Sequence, residues 1–102
     1  MSEPLLYDKL NTETARIRWQ ELQPHFARGA TVYVDPALDL LAVAKLMAED
    51  NSQAIGELMR QGAVAVVDVP QAEAFLAVNQ EMWALVVAPW VLVQPITEIG
   101  SC

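Results

Sequence analysis

An α+β domain is the fold class this sequence predicts, with four helices and a small three-stranded sheet in the order α-β-α-α-β-α-β. Three observations predict it. Two short β-branched runs, Thr31–Val34 and Ala63–Val67, are bounded by glycine and aspartate. Four stretches carry helical periodicity or helix-capping residues, and a long apolar ribbon, Met82 to Gln94, closes the chain with too many β-branched and aromatic residues for a helix.

The first helix is expected from Thr12 to Ala27. Asn11 stands as its N-cap, and Ala15, Trp19, Leu22 and Phe26 fall on one stripe at i, i+4, i+7 and i+11. Pro24 removes one backbone donor inside it and predicts a kink or an early stop near Gln23, with Gly29 closing the remainder. Ile17 lies off the stripe and points to a second contact.

Thr31-Val-Tyr-Val is the first strand. Asp35-Pro36 after it reads as a cap and a first helical residue, so a second helix is expected from Ala37 to Glu49, apolar around most of its circumference and therefore largely buried. Asp50-Asn-Ser-Gln53 has capping-box spacing and opens a short third helix whose apolar face is Ile55, Leu58 and Met59, ended by Gly62. The nearly all-apolar strand Ala63–Val67 suits a place covered on both faces. Pro70 opens a fourth helix that runs to about Asn79, with Ala72, Phe75, Leu76 and Val78 apolar.

In the closing ribbon both alternating sets are apolar: Trp83, Leu85, Val87, Val91 and Val93 on one side, Met82, Ala84, Val86, Ala88, Trp90 and Leu92 on the other. Leaving three or four such side chains wet would forfeit roughly 5–10 kcal/mol, as much as a whole domain's stability. Both faces are therefore expected to be covered, by the chain's own helices or by a second copy. Pro89 cannot donate to a ladder and belongs at an edge or bulge where a second subunit could dock. Trp83, Val86, Trp90 and Leu92 are the candidate interface residues, and a homodimer or another protein is the expected partner.

Length and composition set the class. The chain has 102 residues, 54% of them hydrophobic and 19% charged, which predicts one domain over residues 1–102, its ordered core at about 10–94 and its tails frayed. Thirteen acidic against six basic residues give a formal net charge of −7, and residues 61–102 contain no Lys or Arg, which disfavours nucleic acid as a partner. Neither a signal peptide nor a membrane span is indicated, and the lone Cys102 supports no intramolecular disulfide, so a cytoplasmic location is expected.

Candidate chemistry is sparse. His25 is the single histidine, which cannot by itself build a His-based metal site, and no nucleophile in an activating context stands near it in sequence. Cys102 is terminal, and the ending Ile99-Gly-Ser-Cys102 does not satisfy a prenylation box, which needs its cysteine four residues from the end. Asp35 and Asp39 at the start of the second helix, with Glu49-Asp50 at its end, could be imagined as a cation site, but capping and the helix dipole already account for three of these four carboxylates. No phosphate-binding, dinucleotide, zinc or nucleophile-elbow motif is present. No catalytic residue, metal or cofactor is therefore expected, and a non-enzymatic protein-interaction or regulatory role leads.

Two alternatives stay open. Helix, strand, helix, tight turn, helix, strand is the element order of a winged-helix domain, which would allow a nucleic-acid-binding regulator with a basic strip at Arg16, Arg18 and Arg28. A small-ligand or metal site at Asp35 and Asp39 is the other.

Leu10-Asn-Thr-Glu-Thr-Ala-Arg-Ile-Arg-Trp-Gln-Glu-Leu22, Phe26-Ala-Arg-Gly29, Leu38-Asp-Leu-Leu-Ala-Val-Ala44 and, most specifically, Trp83-Ala-Leu-Val-Val-Ala-Pro-Trp-Val-Leu-Val-Gln94 together resemble a bacterial family catalogued as domain of unknown function 2288. The resemblance spans Leu10 to Gln94. It implies kinship and brings no reaction, ligand or catalytic residue with it.

Overall fold

The computed structural model describes residues 14–96. The expected Asn11 cap, the frayed tails and the Cys102 thiol lie outside the described residues. In chain order the elements are β1 (Ala15–Arg18), α1 (Trp19–Ala27), β2 (Thr31–Val34), α2 (Leu40–Ala48), α3 (Ser52–Arg60), β3 (Val64–Val66), α4 (Val69–Ala77), β4 (Glu81–Val87) and β5 (Trp90–Pro95).

The sheet is five-stranded and mixed, in the order β1-β4-β5-β2-β3, with β2 parallel to β5 and the other neighbours antiparallel. The α+β class and four helices stand, but the three-stranded sheet and the winged-helix-like arrangement do not. Two local features account for the two missing strands. Ala-Arg-Ile-Arg alternates with period two: Ile17 opposite Met82 turns inward, while Arg16 opposite Trp83 and Arg18 opposite Glu81 turn to the other face. The expected helix therefore starts at Trp19, and its inward stripe is the buried Trp19 and Leu22 with the partly buried Phe26, without Ala15.

The second feature is Ala88-Pro89, which forms a two-residue hairpin turn between Val87 and Trp90 rather than a bulge within one strand. The turn reverses the parity of the ribbon. Leu85, Val87, Trp90 and Leu92 share one face, while Met82, Ala84, Val86, Val91 and Val93 share the other. That reversal hid the turn; no polar side was visible in sequence because neither face is polar in the structure.

Each face carries its own core. Helices α2 and α3 cover Val32, Val34, Val64, Leu85 and Leu92 with Leu40, Val43, Ala44, Ile55 and Leu58. Helices α1 and α4 cover Met82, Ala84, Val91, Val93 and Val67 with Trp19, Leu22, Ala72 and Phe75, the Trp19 ring lying 5.2 Å from Phe75 and 5.7 Å from Phe26. A parallel β2–β5 pair with helices on both faces gives the tryptophan ribbon intramolecular cover on its two sides, though not over its whole length.

Helix ends differ from expectation by short steps. Asp39, not Asp35, caps α2 by accepting from the Leu41 amide, and Asp35 instead accepts from Ala37 in a local turn. Asn51, not Asp50, caps α3 through the Ala54 amide, leaving Asp50 at φ +57°. Asp68 caps α4 through Gln71, with Pro70 in its first turn. Helix α1 continues past Pro24 to Ala27, and its N-terminus has no cap of its own. Its first amides donate instead to Gln80 O (2.8 Å) and Asn79 Oδ1 (3.1 Å), across about sixty residues of sequence.

Candidate functional site

Strand β5 positions two side chains on the α2–α3 face at opposite ends of the helix pair. Trp90 stands at its start and Gln94 at its end, about 13 Å apart at ~3.3 Å per residue. Between them Leu92 is fully buried under α2. Trp83, opposite Gln94, is 37% exposed beside α2, and Trp90, opposite Val87, is 36% exposed beside α3.

The four expected interface residues therefore do not form one patch. Leu92 is core. Val86 is 54% exposed but sits on the α1–α4 face, whereas Trp83 and Trp90 occupy separate clefts on the other face.

The Trp83 cleft, about 400 Å³, is lined by Thr14, Leu38, Asp39, Leu41 and Gln94 among others. Its chemistry is committed to structure. Arg16 pairs with Glu81 through two 3.0 Å contacts and lies 5.7 Å over the Trp83 ring, so the indole on this side already has a cation. The Arg16 hydrogen bond holds the Glu81 carboxyl below the usual carboxylate range. Gln94 donates both protons of its amide, to Asp35 O (3.0 Å) and Leu38 O (2.8 Å), fastening the β2–α2 loop to β5.

Trp90 meets a different environment. Its indole walls a cleft of about 440 Å³ where the β4–β5 turn, Ala88 and Pro89, faces the α2–α3 corner, Asp50, Asn51 and Ser52, over Met47 and Ile55. The same Trp90, Met47 and Ile55 continue into an apolar cavity of about 170 Å³ with Val32, Val64, Met59 and Val66. Met59 is 47% and Val66 45% exposed. Three of the exposed large apolar side chains thus converge on one groove, polar at the helix corner and apolar toward β3.

The groove arises from sequence order. Helix α3 has nine residues and leans its Ile55 and Leu58 on the core, which leaves Met59, the next position around, over the end of the sheet. Strand β3 is only three residues long and lies at the sheet's edge, so Val66, on the α3 side, is not fully covered; the expectation that this strand is covered on both faces holds for Val64 and Val67 alone.

Elsewhere the polar side chains that the sequence singled out are engaged. Arg28 donates to His25 Nδ1 at 2.8 Å, which makes that nitrogen an acceptor, and Arg18 donates to Asn79 O at 3.3 Å. With Arg16 held by Glu81, each residue of the supposed basic strip has an intramolecular partner. Asp35 and Asp39 are each occupied by a local amide, and among the described residues no group of three or more His, Cys, Asp or Glu side chains is close enough to hold a metal ion. No helix among them is long and apolar enough to cross a membrane. Sequence reasoning missed Asp50, Met59 and Val66 as groove residues. In sequence Met59 belongs to the apolar face of its helix with Ile55 and Leu58, so its exposure carried no signal there.

The comparisons with known proteins agree with the fold. The chain matches a solution structure of PA1075 from Pseudomonas aeruginosa with a TM-score of 0.81 and 46% identity, covering 92% of this chain and 87% of that one. No curated protein matches. The family described as "Protein of unknown function (DUF2288)" matches residues 5–95, nearly the whole length. The chain belongs to that family.

Proposed function

We propose that this domain is a non-enzymatic protein-interaction module whose docking site is the groove walled by Trp90, Met59 and Val66. The observation that carries this reading is the convergence of those three half-exposed apolar side chains on one concavity. Trp and Met favour such a role because an indole supplies a large rigid contact and a thioether chain adapts to its occupant. The exposed Val69, Leu76 and Val78 belong instead to α4 and its C-cap, and line neither cavity of the groove.

The occupant is a segment of another protein. A second copy of the chain is the competing occupant, and charge weighs against it, since each copy carries a formal −7. Affinity purification of tagged full-length chain from its host tests the reading. A protein that co-purifies in stoichiometric amount with the wild type and with Val78→Lys, but is lost with Met59→Lys, is the expected result. A partner retained by Met59→Lys, or a stable homodimer that buries Trp90, contradicts it.

A further inference from the structure

We infer that the cleft beside Trp83 is closed by this chain's own N-terminal segment, residues 5–10, with leucines of that segment seated against the Trp83 indole and the start of α2. The inference concerns the second cleft of the α2–α3 face and does not rest on the Trp90 groove. Trp83 is 37% exposed, and the cleft it borders, about 400 Å³, is lined by Leu38, Leu40 and Leu41, of which Leu38 and Leu41 are only half-buried. A concavity between an indole and three leucines is stabilised by whatever apolar surface removes it from water. Arg16, 5.7 Å over the Trp83 ring, holds the indole in place as a wall of that concavity.

The occupant follows from where the chain enters. Thr14, the first described residue, itself lines this cleft. The sequence just before it contains Leu5-Leu-Tyr-Asp-Lys-Leu10, four apolar side chains in six positions. Leu10 stands four residues from Thr14 and Leu6 eight, and at up to ~3.3 Å per residue both reach across the cleft. Asp8 and Lys9 cancel, so the segment brings no net charge to a cleft that Asp39 borders. The family's model begins at residue 5 and takes in this segment with the rest of the domain.

The tether decides against an outside occupant. A segment joined to the rim through residues 11–13 is held there at an effective concentration of roughly millimolar or above, without the loss of translational freedom that a separate molecule suffers. A second copy or another protein has to displace it. With the Trp83 cleft closed from within, Trp90 is the ribbon tryptophan left to meet a partner.

The test is nuclear Overhauser spectroscopy on the full-length chain with leucine methyls and tryptophan rings isotope-labelled. The expected result is a set of contacts from the Trp83 indole protons to methyls of Leu5, Leu6 or Leu10, with an upfield ring-current shift of those methyls that is lost in Trp83→Leu. In a mixture of labelled and unlabelled chains the contacts should stay within one molecule. Methyls of Leu5, Leu6 and Leu10 without a contact to Trp83, contacts found only between molecules, or a methyl shift that survives Trp83→Leu would overturn the inference. Each of these outcomes leaves the Trp90 groove standing, because the wild-type contacts are read at Trp83 alone.

Discussion

Replacing Gln94 tests how the loop that launches α2 is held. Its side chain is 8% exposed, and its amide nitrogen donates to two carbonyls of the Asp35–Leu38 loop at 3.0 and 2.8 Å. A net ~1 kcal/mol per bond, plus the cost of leaving the Leu38 carbonyl unpaired while Asp35 O keeps the Leu38 amide, gives an expected loss of about 2–3 kcal/mol for Gln94→Leu. Gln94→Glu sharpens the test, because an ionised carboxylate there faces two acceptors and can donate to neither. Burial and those carbonyls raise its folded pKa above the unfolded value of about 4.3. The sign follows from linkage. Below that value the protonated acid donates one bond and most stability remains; as pH rises toward the folded pKa, the native state holds a proton that the unfolded state has released, and stability falls at about 1.4 kcal/mol per unit of pKa elevation. Urea unfolding of wild type and both variants at pH 4.5 and 7.5 measures this. Gln94→Leu should show the same deficit at both pH values, and Gln94→Glu a deficit that grows toward pH 7.5. A Gln94→Leu variant within about 0.5 kcal/mol of wild type, or a Gln94→Glu deficit that does not change with pH, would refute the clamp.

Leu92 and Trp90 are two residues apart with opposite roles, so Leu92→Ala should cost about 2–5 kcal/mol in urea unfolding while Trp90→Ala costs less than about half of that. Asn79 caps α1 from the far end of the chain and holds φ +46°; Asn79→Ala should lose both the cap and a tolerable backbone, about 1–3 kcal/mol, whereas Asn79→Gly loses the cap alone and should be the milder variant in thermal melts. The Glu81 carboxyl, held low by Arg16, contributes stability above the ordinary Glu pKa that disappears as pH falls through its folded value; carboxyl NMR titration should show Glu81 moving back up toward the usual range in Arg16→Gln, and an unmoved titration would remove the pair from the account.

Much of the fold was legible because the signals were local and long enough. Thr31–Val34, the helix opened near Pro70 and the glycine after α3 needed only composition and turn chemistry to place. What failed was short or depended on distant residues. Four alternating residues in β1 could not outweigh a helical stripe that ran through them, and a helix start normally marked by its own cap is instead marked by Asn79. The hairpin was hidden because β4 and β5 are each apolar on both faces, so no alternation existed whose change of parity at the two-residue turn of Pro89 could betray it.

The candidate site followed the same division. The ribbon's tryptophans could be singled out as candidates from their number and neighbours, yet which of them faces a groove depends on where α2 lies, which composition does not encode. Leu92 reads like Trp90 in sequence and is separated from it only by the packing of Val43 and Ala44. Asp50 lines the cleft and does not cap α3, because the cap fell one position later, on Asn51.

Site-specific photocrosslinking in the host tests the central claim most directly, with p-benzoylphenylalanine placed at position 59 in one version of the full chain and at position 78 in another. Met59 borders the groove and Val78 ends α4 away from it. The account predicts a light-dependent adduct to a partner protein from position 59 and none from position 78. Crosslinking from position 78 with none from 59 would place the partner on the other face of the sheet and contradict the account.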